Sequence, residues 1–451
     1  MFSLIKKVIS SIMAFIIAVL PFGNDTSEKK CDPAFNGTFL QSWLSSTWSD
    51  ERWQDEIENM KEAGIEYLIL QDVANKAYKS SGGAWTIYYD SELDAFADAT
   101  VCPDVIEAAL RYCKGSGIKV FIGLAMFDDF WTEGAITSQY SEMCDIASLM
   151  VEEIYNKYYA EYSDCFYGWY FTPEFNNVLT CQINIGGMSR GLNRIIDSMN
   201  KTDPDLPLLL SPFFAEYLAN GHVLTLVNLV RLLDSVNFRD GDIFAPQDAV
   251  GALWTSPENL EKTWKMYDAA VKSCDADIRL WANCENFCLA VADSLLAGFL
   301  TRPASDNTVS VPATLDRFVW QMETASKYAE NIITFSYNHY FSPDEVDDMY
   351  IETYLDYIEN GFELEAQKPS DPSDFVKAAE NGVTLSWSES EDNFGIAYYR
   401  IEKNGKFLSR IENCYGDASL TFNDIGGSFF DEYSITAFDA AGNCSESVIA
   451  K

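Results

Sequence analysis

A (β/α)8 barrel followed by a small all-β sandwich is the α/β fold the sequence predicts, and three observations predict it. Eight apolar, strand-like runs alternate with segments of helical spacing, the pattern of parallel strands joined by crossover helices. Beyond residue 363 that alternation stops, and short runs with period-two patterning follow a Pro-containing linker. No G-x-G-x-x-G turn follows the first run, so an open doubly wound sheet binding a dinucleotide has no foothold.

The eight runs span 37–43, 65–73, 119–125, 166–175, 206–214, 242–246, 278–287 and 331–341. Between the first two, Trp53, Ile57, Met60 and Ala63 fall at helical spacing, and Gly64 stands where a C-cap glycine ends a helix. One complete strand and helix unit is legible there. The 451 residues exceed the length at which a single core stops growing, which favours two domains. The barrel is expected over 31–363, behind a leader over 1–30. A linker over 364–373 carries Pro369 and Pro372, and a sandwich over 374–451 is expected to hold strands at 382–387, 397–403, 418–422 and 433–438.

Composition narrows the function classes. The 69 acidic against 31 basic residues give a formal charge of −38, which repels nucleic acid and an anionic membrane surface alike. Lys6 and Lys7 precede an apolar run over 8–22. At about 15 residues the run is shorter than the roughly 20 a spanning helix needs, so a cleaved signal peptide and a secreted protein without stable membrane insertion are expected. Export makes the eleven cysteines disulfide candidates, and Cys414 and Cys444, the two in the sandwich, are expected to pair. With only His222 and His339 and no C-x-x-C pair, neither a metal nor another cofactor is expected. These features do not fix an oligomeric state.

Barrel active sites lie at the C-terminal ends of the strands, so the polar residues ending each run are the first candidates. The fourth run ends Trp169-Tyr170-Phe171-Thr172-Pro173-Glu174-Phe175-Asn176-Asn177, and the seventh ends Leu280-Trp281-Ala282-Asn283-Cys284-Glu285-Asn286-Phe287. A carboxylate emerging from aromatics is costly to desolvate, and such burial raises its pKa toward that of a working general acid. A single acid at a strand end is more often a cap or a solvated loop residue; two, at the fourth and seventh ends, favour chemistry.

This arrangement resembles the clan of retaining glycosidases built on (β/α)8 barrels. More closely, residues 37–361 resemble the DUF4434 family of unknown function, grouped with glycosidase barrels. The resemblance rests on Gly37-Thr38-Phe39-Leu40-Gln41, Glu62-Ala63-Gly64-Ile65 with Leu68-Ile69-Leu70-Gln71, Gly168-Trp169-Tyr170 with Pro173-Glu174, and Trp281-Ala282-Asn283 with Glu285. It implies an O-glycosyl hydrolase acting on a carbohydrate, with Glu174 as acid/base and Glu285 as nucleophile. The clan places Asn before its acid/base; Pro173 stands there instead, which leaves the usual contact to the sugar 2-hydroxyl to Asn176 or Asn283. The C-terminal segment resembles a fibronectin type III domain through Gly382-Val383-Thr384-Leu385-Ser386-Trp387, Tyr399-Arg400-Ile401 and the stretch from Tyr433 to Asp439, with Trp387 and Tyr433 read as core.

Strand-end position nominates further substrate-binding residues: Trp43, Asp72, Asp128, Asp129, Asp248, Tyr337 and His339, beside Asn176 and Asn283. By strand parity Asn283 and Glu285 share a face, as do Tyr337 and His339. Trp131 and Trp254 are candidate sugar platforms, although large aromatics near a barrel rim more often pack. Every nominated catalytic group precedes the linker, so the barrel is expected to act without the sandwich. Two functions stay open: a retaining hydrolase, and a catalytically silent barrel that binds glycans or a cell-surface partner.

Overall fold

The computed structural model describes residues 29–76, 83–127, 138–177, 185–216, 221–289, 310–379, 381–416 and 419–451. Eight parallel strands close into a barrel: β1 (Gly37–Leu40), β2 (Tyr67–Leu70), β3 (Lys119–Gly123), β4 (Phe166–Phe171), β5 (Leu208–Leu210), β6 (Ile243–Phe244), β7 (Arg279–Glu285) and β8 (Asn331–Phe335). Each neighbours the next in chain order, and β8 closes on β1 with Gly37 opposite Ile333. Among the described residues a longer helix follows each strand: α1 (Asp50–Glu62), α2 (Val105–Cys113), α3 (Ser138–Ile154), α4 (Ile185–Thr202), α5 (Gly221–Leu233), α6 (Leu260–Lys272), α7 (Leu315–Ala325) and α8 (Met349–Glu359). Every strand contributes to one interior cluster, from Phe39 on β1 through Tyr170 on β4 to Trp281 on β7 and Ile333 on β8, so the barrel is packed and not a pore.

The first helix shows how local sequence sets these elements. Ser49 caps α1 by accepting from the Arg52 N–H, and Trp53, Ile57 and Met60 form its buried face. Gly64, at φ +77°, ends it by donating to the Lys61 carbonyl, while Ile65 reaches back to Met60. All eight strands are shorter than the runs read from sequence, because the last residues of each run leave the ladder and enter the loops above it. The clearest departure is at β8. Residues Tyr337–Tyr340 form a helical turn, so Tyr337 and His339 do not share a strand face as parity suggested. Likewise Trp43 sits on a short helix, Ser42–Ser45, and not at the end of a strand.

The chain divides into two compact units. The first comprises Met1–Ala249, Glu258–Cys284 and Glu323–Phe335; the second comprises Val250–Pro257, Glu285–Met322 and Ser336–Lys451. The second unit therefore joins the C-terminal sandwich to chain segments that follow β6, β7 and β8. Among the described residues the sandwich has seven strands: β9 (Ser373–Ala378), β10 (Val383–Ser388), β11 (Ile396–Lys403), β12 (Lys406–Glu412), β13 (Thr421–Asp424), β14 (Tyr433–Asp439) and β15 (Val448–Ile449). Two antiparallel sheets, ordered β9-β10-β13 and β12-β11-β14-β15, enclose a core of Phe375, Leu385, Trp387, Tyr399 and Ile435. Trp387 and Tyr433 are both buried, and the Tyr433 hydroxyl donates to Asp424 at 2.8 Å. Strands β9, β12 and β15 were not foreseen; they have mixed or exposed faces, which blur the alternation.

Cys414 and Cys444 are not joined, which corrects the pairing expected of them. Their backbones answer to different partners: Cys444 bridges Phe438, and the Cys414 carbonyl accepts from the Asp347 N–H. No described helix is long and apolar enough to cross a membrane. The apolar run over 8–22 lies outside the described residues.

Candidate active site

In the first unit the end of β4 is pinned on both sides of Glu174. Thr172 donates its hydroxyl to the Ala125 carbonyl, and Asn177 exchanges two hydrogen bonds with Ala215, accepting at 2.8 Å and donating at 3.2 Å. The residue keeps some exposed surface, but its carboxyl is crowded by protein. Burial lifts that carboxyl from 4.5 to about 7, opposed by a hydrogen bond from Gln247 that favours the charge. Asp72 and Glu174 both bear on the phenol of Tyr170 inside the barrel: burial first, then these two carboxylates, push its ionisation far up. Ser42 steadies Asp72 by donating to its carbonyl.

A second layer of amides meets at Ser211, just past β5. Gln247 donates to its carbonyl at 3.3 Å, and Asn283 donates to its hydroxyl at 3.0 Å. Asn283 is also held by its backbone, donating to Pro246 and accepting from Asp248. Its side-chain oxygen is buried and accepts no hydrogen bond. An unpaired buried acceptor costs about 1–3 kcal/mol, so the position is costly unless a ligand supplies the donor.

In the second unit Glu285, the last residue of β7, is 4% exposed. One carboxylate oxygen accepts from the Ala252 N–H at 2.7 Å, a donor that stabilises negative charge there. Its carbonyl is gripped by Arg317 and Gln321 of α7, each at 3.1 Å. The loop that supplies Ala252 is tight. A Cβ on Gly251 would lie 2.4 Å from the Phe287 carbonyl oxygen and 3.0 Å from the Glu285 carboxylate. Ala249 and Leu253 hold left-handed φ values of 55° and 60°, a conformation that costs a non-glycine residue of order 1 kcal/mol or more.

The remaining nominated residues are spread over both units. Asp248 is fully buried, Asn176 bridges the backbone of Phe213, and Trp43 is 58% exposed. Tyr337 is buried within the second unit, and His339 packs its ring 5.8 Å from that of Tyr340, where burial lowers its proton affinity against the pull of Glu345. Asp128, Asp129 and Trp131 lie outside the described residues; Trp254 is half-buried. Sequence reasoning missed Ser211, Gln247, Gly251, Ala252, Arg317 and Tyr340. Two of these carried a signal: Gln247 stands one residue before the nominated Asp248, just after the sixth run, and Tyr340 one residue after the nominated His339.

A closed parallel barrel with carboxylates at the ends of its fourth and seventh strands places the chain among (β/α)8 barrel proteins. It belongs to the family described as "Domain of unknown function (DUF4434)", which matches residues 35–347. Among solved structures it is similar to a "putative alpha-L-fucosidase" from Bacteroides thetaiotaomicron VPI-5482, with 18% identity, a TM-score of 0.57, and coverage of 76% of this chain and 99% of that one. A glycoside hydrolase family 5 protein from Bacteroides vulgatus ATCC 8482 aligns over 90% of this chain and 89% of its own, at 10% identity and a TM-score of 0.41. At these identities the first likeness establishes the fold alone. No curated protein matches the chain.

Proposed function

We propose that the protein is a secreted retaining glycoside hydrolase that cleaves an O-glycosidic bond with Glu174 as acid/base and Glu285 as nucleophile. The observation that carries this reading is the Glu174 carboxyl at about 7, half protonated near neutral pH, where an acid that later serves as base works best. Glu285 is fixed by the Ala252 N–H and by α7, as a nucleophile that must approach one carbon along one line requires. In the first step Glu285 bonds to the anomeric carbon while Glu174 gives its proton to the departing oxygen. In the second Glu174 takes a proton from water, which attacks the same carbon and releases Glu285. The buried acceptor of Asn283, two residues before Glu285, suits a sugar hydroxyl as donor. The alpha-L-fucosidase description of the similar structure agrees with this class.

The mechanism requires the two carboxyls to work about 5–5.5 Å apart. It is tested by azide. In Glu285→Ala, turnover of an activated aryl glycoside should vanish and return with azide as a glycosyl azide of inverted configuration. In Glu174→Ala the first step on that substrate should survive, and azide should yield retained configuration. Wild-type rates in both variants, or an inverted native product, would refute the assignment. Glycan binding without turnover would leave the silent barrel.

A further inference from the structure

At the barrel mouth of the first unit, Gln41 presents a buried acceptor that the proposed reaction leaves unassigned. Phe39 points into the interior cluster, and Gln41, two residues on, keeps an extended backbone at φ −77° and ψ 132°. Its side chain is therefore the next on β1 to face inward. Gln41 is 8% exposed, and its side-chain oxygen accepts no hydrogen bond. The backbone beneath it is fixed. Its carbonyl accepts from the Leu44 and Ser45 N–H groups at 3.2 and 3.1 Å and from the Ser45 hydroxyl at 3.2 Å, while the Gln71 N–H holds the Leu40 carbonyl at 2.9 Å.

Asn283 holds the matching place on β7. It follows Trp281 of the same interior cluster by two residues, and its side-chain nitrogen is spent on Ser211, which leaves the buried oxygen open. Strand β8 runs between β7 and β1 and carries Phe335, a half-buried ring that packs on the cluster with its centroid 6.1 Å from that of Phe39. Phe39 also meets the ring of Tyr170 on β4 edge-on at 5.1 Å, so β1 and β4 touch across the interior. Gln41 and Glu174 continue these two parallel strands at the same end of the barrel. A buried amide oxygen without a donor costs the folded chain stability until a bound group supplies the proton. Two such oxygens, on the strands either side of one that bears an aromatic ring, match a sugar: its hydroxyls donate at the edge while its C–H face lies on the ring.

We infer that Gln41 is a specificity-determining residue of the active site, its side-chain oxygen accepting from one hydroxyl of the bound sugar as that of Asn283 accepts from another. The substrate is then a glycoside with both hydroxyls free; an ether, sulfate or carboxylate at either place would set oxygen against oxygen with no proton between them. The inference rests on the proposed function for the presence of a sugar at this mouth.

The test uses the full chain, wild type against Gln41→Met, which keeps the length of the side chain and removes the acceptor. The probes are the aryl glycoside cleaved fastest in a panel of aryl hexosides, 6-deoxyhexosides and pentosides, and its monodeoxy analogues. Gln41→Met should lose about tenfold in kcat/KM on the parent glycoside, and on the one analogue that lacks the hydroxyl read by Gln41 the two proteins should react alike. The unfolding midpoint of Gln41→Met should equal or exceed that of wild type, because an unpaired buried acceptor has gone. A variant as fast as wild type on the parent, a tenfold deficit that persists on every analogue, or a midpoint lowered by several degrees would overturn the inference while leaving hydrolysis intact. Should the native protein bind the corresponding methyl glycosides without cleaving any aryl glycoside, the hydrolase reading fails; the same pattern in Kd across the monodeoxy methyl glycosides would support the role of Gln41, and its absence would overturn it. A native protein that neither binds nor cleaves them removes both.

Discussion

Replacing Glu174 by Gln should stabilise the protein at alkaline pH and leave it nearly unchanged at acid pH. The carboxyl sits at about 7 in the folded chain and near its ordinary 4.5 when unfolded. Below 4.5 it is protonated in both states and contributes nothing. Between 4.5 and 7 the folded chain holds a proton that the unfolded chain has released, so stability falls as pH rises, and above 7 the loss is complete. At about 1.4 kcal/mol per pH unit the interval corresponds to about 3 kcal/mol, reduced toward about 2 kcal/mol because the residue keeps some solvent contact. Gln preserves shape and carries no charge to desolvate. Guanidinium unfolding of wild type and Glu174→Gln at several pH values measures the difference, which should grow by about 2 kcal/mol from pH 5 to pH 8. A difference that stays level over that range would show that Glu174 is an ordinary solvated acid and would remove the main support for its catalytic role.

Two further outcomes are expected. Gly251→Ala would drive a methyl into the Phe287 carbonyl and against Glu285, so the Ala252 N–H must withdraw; turnover should fall about a hundredfold with the fold retained by circular dichroism, and an unchanged kcat would show the loop to be permissive. Truncation after residue 363 removes the Ala440 and Ala441 carbonyls that accept from Leu315 and Asp316 at the start of α7, so the unfolding midpoint should drop by several degrees and activity should be lost; a truncated protein with native midpoint and rate would refute this coupling.

Much of the fold was legible because barrels are written in alternation: each strand is a short apolar run and α1 declares itself by Trp53, Ile57, Met60 and Gly64. The ends of runs read poorly. Tyr337 and His339 looked like alternate strand residues, since aromatic runs suit a strand and a rim turn equally, and only the packed structure decides between them. Glu174 and Glu285 stood out as acids among aromatics, whereas their partners did not. Gln247, Ser211 and Ala252 are ordinary residues whose value comes from contacts across the chain, and an N–H donor leaves no mark in a sequence at all.

The relation of sandwich to barrel was the hardest to read. The Pro-containing linker suggests a detachable module, yet α7 is bonded at both of its working faces within one compact unit. Leu315 and Asp316 donate to the sandwich carbonyls of Ala440 and Ala441, while Arg317, the next residue, and Gln321, about one turn further on, hold the carbonyl of Glu285. Helices are stiff over a single turn, so a shift in the sandwich contact is passed to the Glu285 backbone with little loss. If Glu285 attacks as proposed, a domain that braces its backbone through α7 is coupled to the reaction, which is why truncation is expected to cost activity as well as stability.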